Sequence, residues 1–262
     1  MPDDARRAEY ILQELVRHNK VAVDTLSREL AVNGSTIRRD LEKLERQNLL
    51  RRIHGGAVAA EALSYTAYAH DLTFQANMGR QNEEKTRIAL AALRLVQAGD
   101  TIAISPGTTT THLARAIRHA QVRSLTVVTN AANIAMELAG VRDLNLVMTG
   151  GLLLPDFFAL AGPLAEQSLR DLYVATAFIG VTGLSSEHGL TGPNQLEALI
   201  YRVTIERARR VVLLADHTKL DAVALYRIAP VEAIHVLVTD AAAPAAALQP
   251  LRERGVEVII AE

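Results

Sequence analysis

The chain has 262 residues, of which 49% are hydrophobic and only 4% are aromatic, and its formal net charge at pH 7 is −1. It contains no cysteine, which excludes disulfides, thiolate nucleophiles and cysteine-bound metals. We find no run of about 18 uncharged apolar residues and no basic, apolar leader, so we expect a cytoplasmic protein, and the length favours two domains.

Positive charge is concentrated near the N-terminus. Residues 1–60 carry 11 Lys and Arg against 9 Asp and Glu, whereas residues 61–262 carry 17 against 20. The excess is largest between Arg38 and Arg52, where six cations face three carboxylates. Because phosphate groups are neutralised locally, a basic stripe of this kind favours DNA binding even in a chain whose total charge is close to zero.

Apolar spacing predicts three short helices at the start of the chain. The first runs over residues 5–18, with Ala8, Ile11, Leu12 and Leu15 on one face. A second helix is predicted from Asp24, which we take as its N-cap, to about Leu30. A third is predicted over residues 35–47, after a tight turn with an Asn or Ser cap. Three helices in about 45 residues are typical of a helix-turn-helix.

The next segment predicts a wing. Residues 51–58 form two extended arms around Gly55-Gly56, which indicates a two-stranded hairpin. Residues 59–80 are polar and irregular. We therefore predict a winged helix-turn-helix domain over residues 1–60, a linker over 61–80 and a second domain over 81–262.

The start of the third helix is the part of a helix-turn-helix that enters the major groove. Arginine there can bind guanine or phosphate with two hydrogen bonds, and small hydroxyls allow close approach to DNA. The alternative is a solvated basic face on an ordinary helical hairpin, but the basic hairpin that follows favours DNA binding. The predicted DNA-contacting residues are Ser35, Thr36, Arg38, Arg39, Lys43, Arg51, Arg52 and His54.

Beyond residue 81, helix-length segments alternate with short runs rich in β-branched residues. Such alternation predicts an α/β fold with a mainly parallel sheet. The predicted strands are residues 101–105, 125–129, 145–149, 177–181, 211–215, 236–239 and 256–260. The eight histidines are scattered and none has a metal-ligand spacing, so we predict neither a metal site nor a cofactor.

A Gly- and Thr-rich loop follows the first of these strands and precedes a helix predicted over residues 111–120. Backbone N–H groups and hydroxyls at a helix start can bind an anion, most naturally phosphate. The alternative is a capped strand-to-helix turn without a ligand. The residues of the loop that we select are Ser105, Gly107, Thr108, Thr109 and Thr110.

Polar residues and glycines follow the other strands as well, and the carboxyl ends of parallel strands form the ligand-binding edge of such a sheet. We predict that Lys219 supplies a positive charge to the phosphate and that Asp216 accepts hydrogen bonds from sugar hydroxyls. The alternatives are a helix cap for Asp216 and a surface amine for Lys219. The full set at these strand ends is Asn130, Gly150, Gly151, Gly180, Asp216 and Lys219.

The segment from Arg6 to Ala57, with TIRRDL at residues 36–41 and RIHGGA at residues 52–57, resembles the DeoR family of bacterial sugar-metabolism regulators. The resemblance implies that these two stretches are the recognition helix and the wing. Residues 85–240 resemble the C-terminal domain of the same family, which is similar in fold to ribose-5-phosphate isomerase and binds sugar phosphates as inducers. The matching pieces are residues 107–109, 128–130, 149–151, 162–163, 178–180 and 214–219.

Two positions depart from the family pattern. Ser105 and Ala175 stand where family members often carry Asp. Lost carboxylates remove acceptors for sugar hydroxyls, so the resemblance implies an intact phosphate loop in a site with altered specificity or weaker ligand binding.

These features lead to a hypothesis of a repressor of sugar or carbon metabolism genes. Its partners are operator DNA, a phosphorylated sugar that releases it, and further copies of itself in a homodimer or tetramer. The first alternative is an isomerase- or deaminase-like enzyme with a DNA-binding head, for which Asp216, Glu197 and His188 are the candidate bases. The second is a DNA-architecture or interaction module with a vestigial pocket. For the apolar stretch 152–158 we favour core packing over oligomer contacts.

Overall fold

The computed structural model describes residues 4–18, 20–46, 50–59, 77–78, 80–120 and 122–262. The chain divides into two compact units, an N-terminal unit of residues 1–75 and a C-terminal unit of residues 76–262. Most of the predicted linker over 61–80 lies outside the described residues, so the linker and its boundaries stay predictions. Within the described part of the chain, no helix is long and apolar enough to cross a membrane.

The N-terminal unit combines three helices with a small antiparallel sheet in the order β1-β3-β2. The wing was predicted with two strands, but the short segment before the second helix pairs with β3 and adds a third. The elements are α1 (Asp4–His18), β1 (Lys20–Ala22), α2 (Val23–Glu29), α3 (Gly34–Arg46), β2 (Leu50–Ile53) and β3 (Gly56–Ala59).

The predicted cap of α2 is wrong. The N-cap is Ala22, which makes no side-chain cap, and Asp24 lies exposed in the first turn, where its charge still suits the positive end of the helix dipole. The cap before α3 is present, because Asn33 Oδ1 accepts hydrogen bonds from Ser35 N at 3.0 Å and Ser35 Oγ at 3.1 Å. The turn and the start of α3 are thereby fixed.

The helices of the N-terminal unit pack through a single apolar cluster. Ile11 of α1, Leu26 of α2 and Ile37 and Leu41 of α3 are at most 1% exposed. The apolar face of α3 is therefore used for folding, and its basic face is left to solvent.

The C-terminal unit is built on a seven-stranded sheet in the order β15-β14-β12-β9-β4-β5-β6, in which every neighbouring pair is parallel. All seven predicted strands are present in it, so the predicted α/β fold with a mainly parallel sheet is confirmed. Its strands are β4 (Thr101–Ile104), β5 (Leu125–Thr129), β6 (Leu144–Met148), β9 (Val174–Gly180), β12 (Ala208–Leu214), β14 (Val236–Asp240) and β15 (Glu257–Ala261).

Helices cover both faces of this sheet. Alternate residues of each strand face opposite layers, so that Ile102 and Ile104 pack with α4–α6 whereas Ala103 packs with α7–α9. The helices are α4 (Asn82–Leu93), α5 (Thr108–Ala120), α6 (Ala132–Leu138), α7 (Pro163–Arg170), α8 (Gln195–Glu206) and α9 (Ala245–Glu253).

Two smaller sheets escaped the sequence analysis, because their strands are only three or four residues long. One is an antiparallel hairpin of β7 (Leu152–Leu154) and β8 (Ala159–Ala161). The other is antiparallel in the order β10-β11-β13, with β10 (Gly183–Ser185), β11 (Gly189–Gly192) and β13 (Tyr226–Ala229).

The hairpin also corrects the expectation of core packing for residues 152–158. Leu152 and Leu153 are 61% and 47% exposed, because β7 is a short strand with one free side. Leu154 is half-buried against the core and Phe158 is buried. Only the far end of this stretch therefore packs as expected.

Candidate DNA-binding surface and effector site

The exposed face of α3 carries the predicted recognition residues. Ser35, Arg38, Arg39 and Lys43 are exposed and Thr36 is half-buried. Arg38 and Arg39 form no ion pair with the described part of the chain. Their guanidinium groups are therefore available for phosphate or for base edges.

One buried ion pair fixes α3 relative to α1. Arg7 donates from Nε to Asp40 Oδ2 at 2.9 Å and from Nη2 to Asp40 Oδ1 at 3.3 Å, and both side chains are more than nine-tenths buried. Within the TIRRDL segment, Asp40 is thus a scaffold residue together with the apolar Ile37 and Leu41, while the two arginines before it are exposed. The motif divides into folding positions and exposed positions.

The wing is tied to the end of α3. Glu45 accepts hydrogen bonds from Arg52 N at 2.8 Å and from Arg52 Nε at 2.7 Å, and these bonds hold the pKa of Glu45 below its usual value. Arg51 and His54 are exposed, and the turn between β2 and β3 passes through Gly55 with φ +77°. Arg52 is thus engaged with Glu45 at the end of α3, whereas Arg51 and His54 are free to contact DNA.

The predicted anion loop in the C-terminal unit begins helix α5 earlier than expected. The helix starts at Thr108, not at Thr111, and Gly107 precedes it with φ +146°, a conformation that favours glycine. The hydroxyls of Thr110 and Thr111 donate back to Gly107 O at 3.0 and 2.6 Å. These two hydroxyls are occupied, because they close the first turn.

The start of α5 leaves backbone N–H groups that can bind a ligand. The first N–H groups of a helix, here those of Thr108, Thr109 and Thr110, have no acceptor within the helix. They point out of the positive end of the helix dipole. The loop can therefore bind an anion through its backbone, with Thr108 half-exposed beside it.

Strand β9 closes one side of this loop. Gly180 N donates to Ser105 Oγ at 2.9 Å, and that hydroxyl lies 3.2 Å from Pro106 O. A side chain placed on Gly107 would come within 3.0 Å of Thr110 Oγ1 and 3.9 Å of Gly180. The structure thus brings together Ser105, the loop and Gly180, and it gives Ser105 a role in holding the two strands.

Three other predicted effector residues build the β7–β8 hairpin. Asn130 is buried and its amide donates to Leu160 O at 3.0 Å. Gly151 has φ +125°, and a Cβ there would lie 2.5 Å from Ala161 O. Gly150 is exposed, and a Cβ there would lie 3.9 Å from Leu164 Cβ. No contact among the described residues brings these three to Gly107.

Asp216 and Lys219 lie after β12, in a turn that β14 holds. Asp216 is 1% exposed and its Oδ1 accepts a hydrogen bond from Thr218 N at 3.0 Å, as the capping alternative predicts. Asp240 accepts hydrogen bonds from His217 N at 2.7 Å and pairs with its ring at 2.9 Å. Lys219 is half-buried beside this turn.

A buried lysine joins this group, and the sequence analysis missed it. Lys85 of α4 is 3% exposed, and its ammonium donates to the carbonyls of Asn77 and, at 2.7 Å, Arg80. Burial lowers its pKa, the nearby carboxylate of Asp216 opposes that shift, and the charge of Lys219 adds to it. The signal was available, because Lys85 shares its helix face with buried Ile88 and Ala92.

Two more polar side chains lie buried beside the loop, on helix α8. Tyr201 Oη lies 2.9 Å from Pro106 O and 3.4 Å from Glu197 Oε1, and its single proton can be donated to either oxygen. Burial raises the pKa of Glu197 to about 7, against a smaller lowering by the hydrogen bond from Tyr201. Both residues lie on the inward face of the helix, a pattern that favours a role in a site or in the core.

The departure at Ala175 does not concern this site. Ala175 lies at the amino end of β9, five residues before Gly180 at the carboxyl end. Five residues of extended chain span about 16 Å, so no side chain at position 175 reaches a ligand at the carboxyl edge. Of the two departures, only Ser105 belongs to the candidate site.

The candidate bases of the enzyme alternative are not assembled. His188 is exposed in the turn between β10 and β11, where it lines a cavity of about 220 Å³ with Thr191, Val223 and Arg227. No contact in the described part of the chain joins it to Glu197 or Asp216. Nor do the described residues contain a group of three His, Asp or Glu side chains that could hold a metal ion.

Comparison with known proteins agrees with the division into two units. Residues 7–62 match the family described as DeoR-like helix-turn-helix domain, and residues 80–241 match the DeoR C terminal sensor domain. Ribose 5-phosphate isomerase A of Methanocaldococcus jannaschii is 17% identical over 55% of each chain, with a TM-score of 0.39. So distant a likeness carries no argument about function.

Curated relatives match along almost the whole chain. The putative aga operon transcriptional repressor of Escherichia coli O157:H7 is 34% identical over 98% of this chain and 93% of its own length. The transcriptional repressor GlcR of Bacillus subtilis is 32% identical over 96% and 94%, and the glycerol-3-phosphate regulon repressor of Escherichia coli K12 is 28% identical over 95% of both. The exposed basic helix, the wing and these matches show that the chain belongs to the DeoR family of DNA-binding transcriptional regulators.

Proposed function

We propose that this chain is a repressor of sugar or carbon metabolism genes and that a phosphorylated sugar releases it from operator DNA. The observation that carries the proposal is the helix start at Gly107, whose free backbone N–H groups suit a phosphate. The buried ammonium of Lys85 and the half-buried Lys219 add positive charge at the same edge of the sheet.

The functions named for two relatives support the proposal. One is a repressor of an aga operon and another is the repressor of a glycerol-3-phosphate regulon. For this chain we propose a ligand of the same class, a small phosphorylated metabolite. We also propose a homodimer or tetramer, since helix-turn-helix regulators bind paired half-sites.

Release requires that the ligand bind two states of the protein with different affinity. We propose that phosphate binding at residues 107–110 favours the state with weaker DNA affinity. The predicted ligand residues Ser105 and Gly180 would shape the pocket next to the phosphate, whereas Asn130, Gly150 and Gly151 would support the hairpin. Asp216 would position Lys219 through its turn.

The experiment that tests the proposal starts from DNA selected out of a random pool by the full chain. Fluorescence anisotropy then measures release of the selected DNA by ribose 5-phosphate, fructose 6-phosphate, glucitol 6-phosphate and glycerol 3-phosphate. We expect at least one to lower DNA affinity about tenfold, within the usual range of allosteric coupling. Failure of all four to bind or to release the DNA would contradict the proposal.

Gly107→Ala provides the matched variant. A Cβ at φ +146° and 3.0 Å from Thr110 Oγ1 should distort the helix start, so the variant should bind DNA normally and ignore the sugar phosphates. Gly99→Ala is the control, because Gly99 also has a positive φ but has open space around it. It should keep the response.

One observation favours the enzyme alternative, namely a carboxyl group with a pKa of about 7 beside the loop. Isomerisation would need that group over the reacting carbon, together with a second acid or base. Asp216 is already engaged with Thr218, and His188 lies at a separate cavity. We therefore propose binding without turnover. Steady conversion of ribose 5-phosphate or fructose 6-phosphate, followed by NMR, would overturn that choice.

A further inference from the structure

Glu197 is a buried carboxyl group with few partners in the fold. It lies in the first turn of α8 and is 7% exposed, yet the cap of this helix is Asn194, whose side chain accepts from Leu196 N and Glu197 N. Its contact with Tyr201 is 3.4 Å long, and its second oxygen accepts no hydrogen bond from the described residues. An acceptor that no protein group uses, on a side chain that is otherwise mostly buried, favours a binding role.

The position of Glu197 relates it to the phosphate loop. Helix α8 leads into the amino end of β12, which lies at the amino edge of the parallel sheet. The start of α8 therefore lies at the other edge, the carboxyl edge, where Gly107 also lies. Tyr201 contacts Pro106 O at 2.9 Å and Glu197 at 3.4 Å. One phenol thus connects the residue before Gly107 with the carboxyl group.

The chemistry next to the loop is otherwise poor in acceptors. Ser105 has its hydroxyl engaged with Gly180 N and Pro106 O, and Asp216 has an oxygen engaged with Thr218. Hydroxyl groups of a ligand need acceptors when they leave water. Among the described residues beside the loop, Glu197 offers an oxygen that no protein group uses, and so does Asp216 through Oδ2. Of these two, only Glu197 is connected to Pro106 through Tyr201.

We infer that Glu197 binds hydroxyl groups of the effector and that Tyr201 positions it. This inference rests on the proposed function, because it takes the loop at Gly107 as the phosphate site. It adds the residues that bind the end of the ligand opposite the phosphate. The burial that raises the pKa of Glu197 to about 7 also makes its hydrogen bonds to hydroxyls stronger than in water.

A comparison of ligands on the unmodified full chain tests the inference without any variant. Isothermal titration calorimetry at pH 8 compares ribose 5-phosphate, fructose 6-phosphate and glucitol 6-phosphate with n-hexyl phosphate and inorganic phosphate. At least one of the three hydroxylated phosphates should bind about tenfold or more tightly than hexyl phosphate, which has the length but no hydroxyls. Equal affinities would overturn the inference.

The matched variants are Glu197→Gln and Glu206→Gln, a buried and an exposed carboxyl group on the same helix. Glu197→Gln should weaken the best hydroxylated ligand about tenfold and leave inorganic phosphate unchanged, and Glu206→Gln should change neither. Tyr201→Phe should cost less than Glu197→Gln, because it removes the positioning contact and leaves the acceptor in place.

The outcomes separate this inference from the proposed function. If inorganic phosphate and all phosphorylated ligands fail to bind the unmodified chain, the proposed function fails and the inference with it. If a sugar phosphate binds Glu197→Gln as tightly as the unmodified chain, the phosphate site stands and the inference alone is overturned. Equal weakening of inorganic phosphate and sugar phosphate would also overturn it, since Glu197 would then act on the loop.

Discussion

The two units of this protein use polar side chains in opposite ways. In the N-terminal unit the residues assigned to DNA, such as Arg38, Arg39 and Arg51, are exposed, while a separate set holds the fold. In the C-terminal unit most residues assigned to the ligand are buried, and Ser105, Asn130 and Asp216 each form hydrogen bonds within the protein. A DNA surface can be separated from its scaffold, whereas an enclosed ligand site shares residues with it.

Asp40→Asn should have the largest effect of the changes considered, and it tests this separation directly. The substitution removes the carboxylate that pairs with Arg7 at 2.9 Å in the interior of the N-terminal unit. Breaking a buried ion pair costs about 3–5 kcal/mol, a large part of the stability of a small domain. Hydrogen–deuterium exchange of the full chain should show loss of protection in α1 and α3 and none in the parallel sheet.

Asp24→Asn is the control for Asp40→Asn. Asp24 is an exposed carboxylate on the neighbouring helix and makes no cap, so its loss should change protection very little. If Asp40→Asn left α1 and α3 as well protected as in the unmodified chain, the assignment of Asp40 to the scaffold would be wrong.

The same contrast explains what could be predicted from the sequence. Apolar spacing located the helices of the N-terminal unit, and runs rich in β-branched residues located the seven strands of the parallel sheet. Neither signal located β10, β11 and β13, which are only three or four residues long. The boundary of α5 was misplaced because four threonines suggested a loop, although two of their hydroxyls close the first turn.

The site was harder to predict for a physical reason. Gly151 and Gly107 look alike in sequence, but the first makes room for Ala161 O and the second opens a helix start. The resemblance to the family drew attention to Ser105 and Ala175, although only the first lies at the carboxyl edge. Which polar group faces a neighbour and which faces a ligand depends on contacts between distant segments.

A second prediction concerns the pH dependence of stability in the C-terminal unit. The pKa of Glu197 is about 7 in the folded protein and 4.5 without burial, so the folded state holds this proton more tightly. Stability that Glu197 contributes in its neutral form is present below pH 4.5 and is lost as pH rises to 7, by about 3 kcal/mol in total.

Glu197→Gln should remove this loss. The melting temperature of the variant relative to the unmodified chain should therefore rise between pH 5 and pH 8, even though the variant binds the effector more weakly. Glu206→Gln, which replaces an exposed carboxylate at the end of the same helix, should show no such trend. A pH-independent difference for Glu197→Gln would mean that Glu197 ionises as it would in water.

A third prediction concerns the contact residues of α3. Arg38→Ala and Arg39→Ala should each weaken binding to selected DNA by about 1–3 kcal/mol, through loss of a phosphate or base contact. Neither should change the melting temperature, because both side chains are exposed. Arg46→Ala is the control on the same helix, since Arg46 already pairs with Glu42 at 2.5 Å. Unchanged affinity for both arginine variants would remove α3 from the DNA interface.

The smallest effect is expected at the junction between α3 and the wing. Glu45→Gln keeps an oxygen that can accept from Arg52 N but removes the charge paired with Arg52 Nε at 2.7 Å. The guanidinium of Arg52 is then free to neutralise a phosphate, which should steepen the slope of log affinity against log salt by up to about 0.9.

Affinity for the selected DNA at low salt should rise by about threefold or less. An exposed cation contributes little to binding, and the wing is held less firmly without the ion pair. Glu42→Gln is the matched control, as its partner Arg46 lies later on the helix than the contact residues. A fall in affinity for Glu45→Gln, with an unchanged salt slope, would mean that Arg52 serves to orient the wing and does not contact DNA. The N-terminal unit would then contain a scaffold residue among its exposed cations, and the separation of roles between its surface and its core would be less complete.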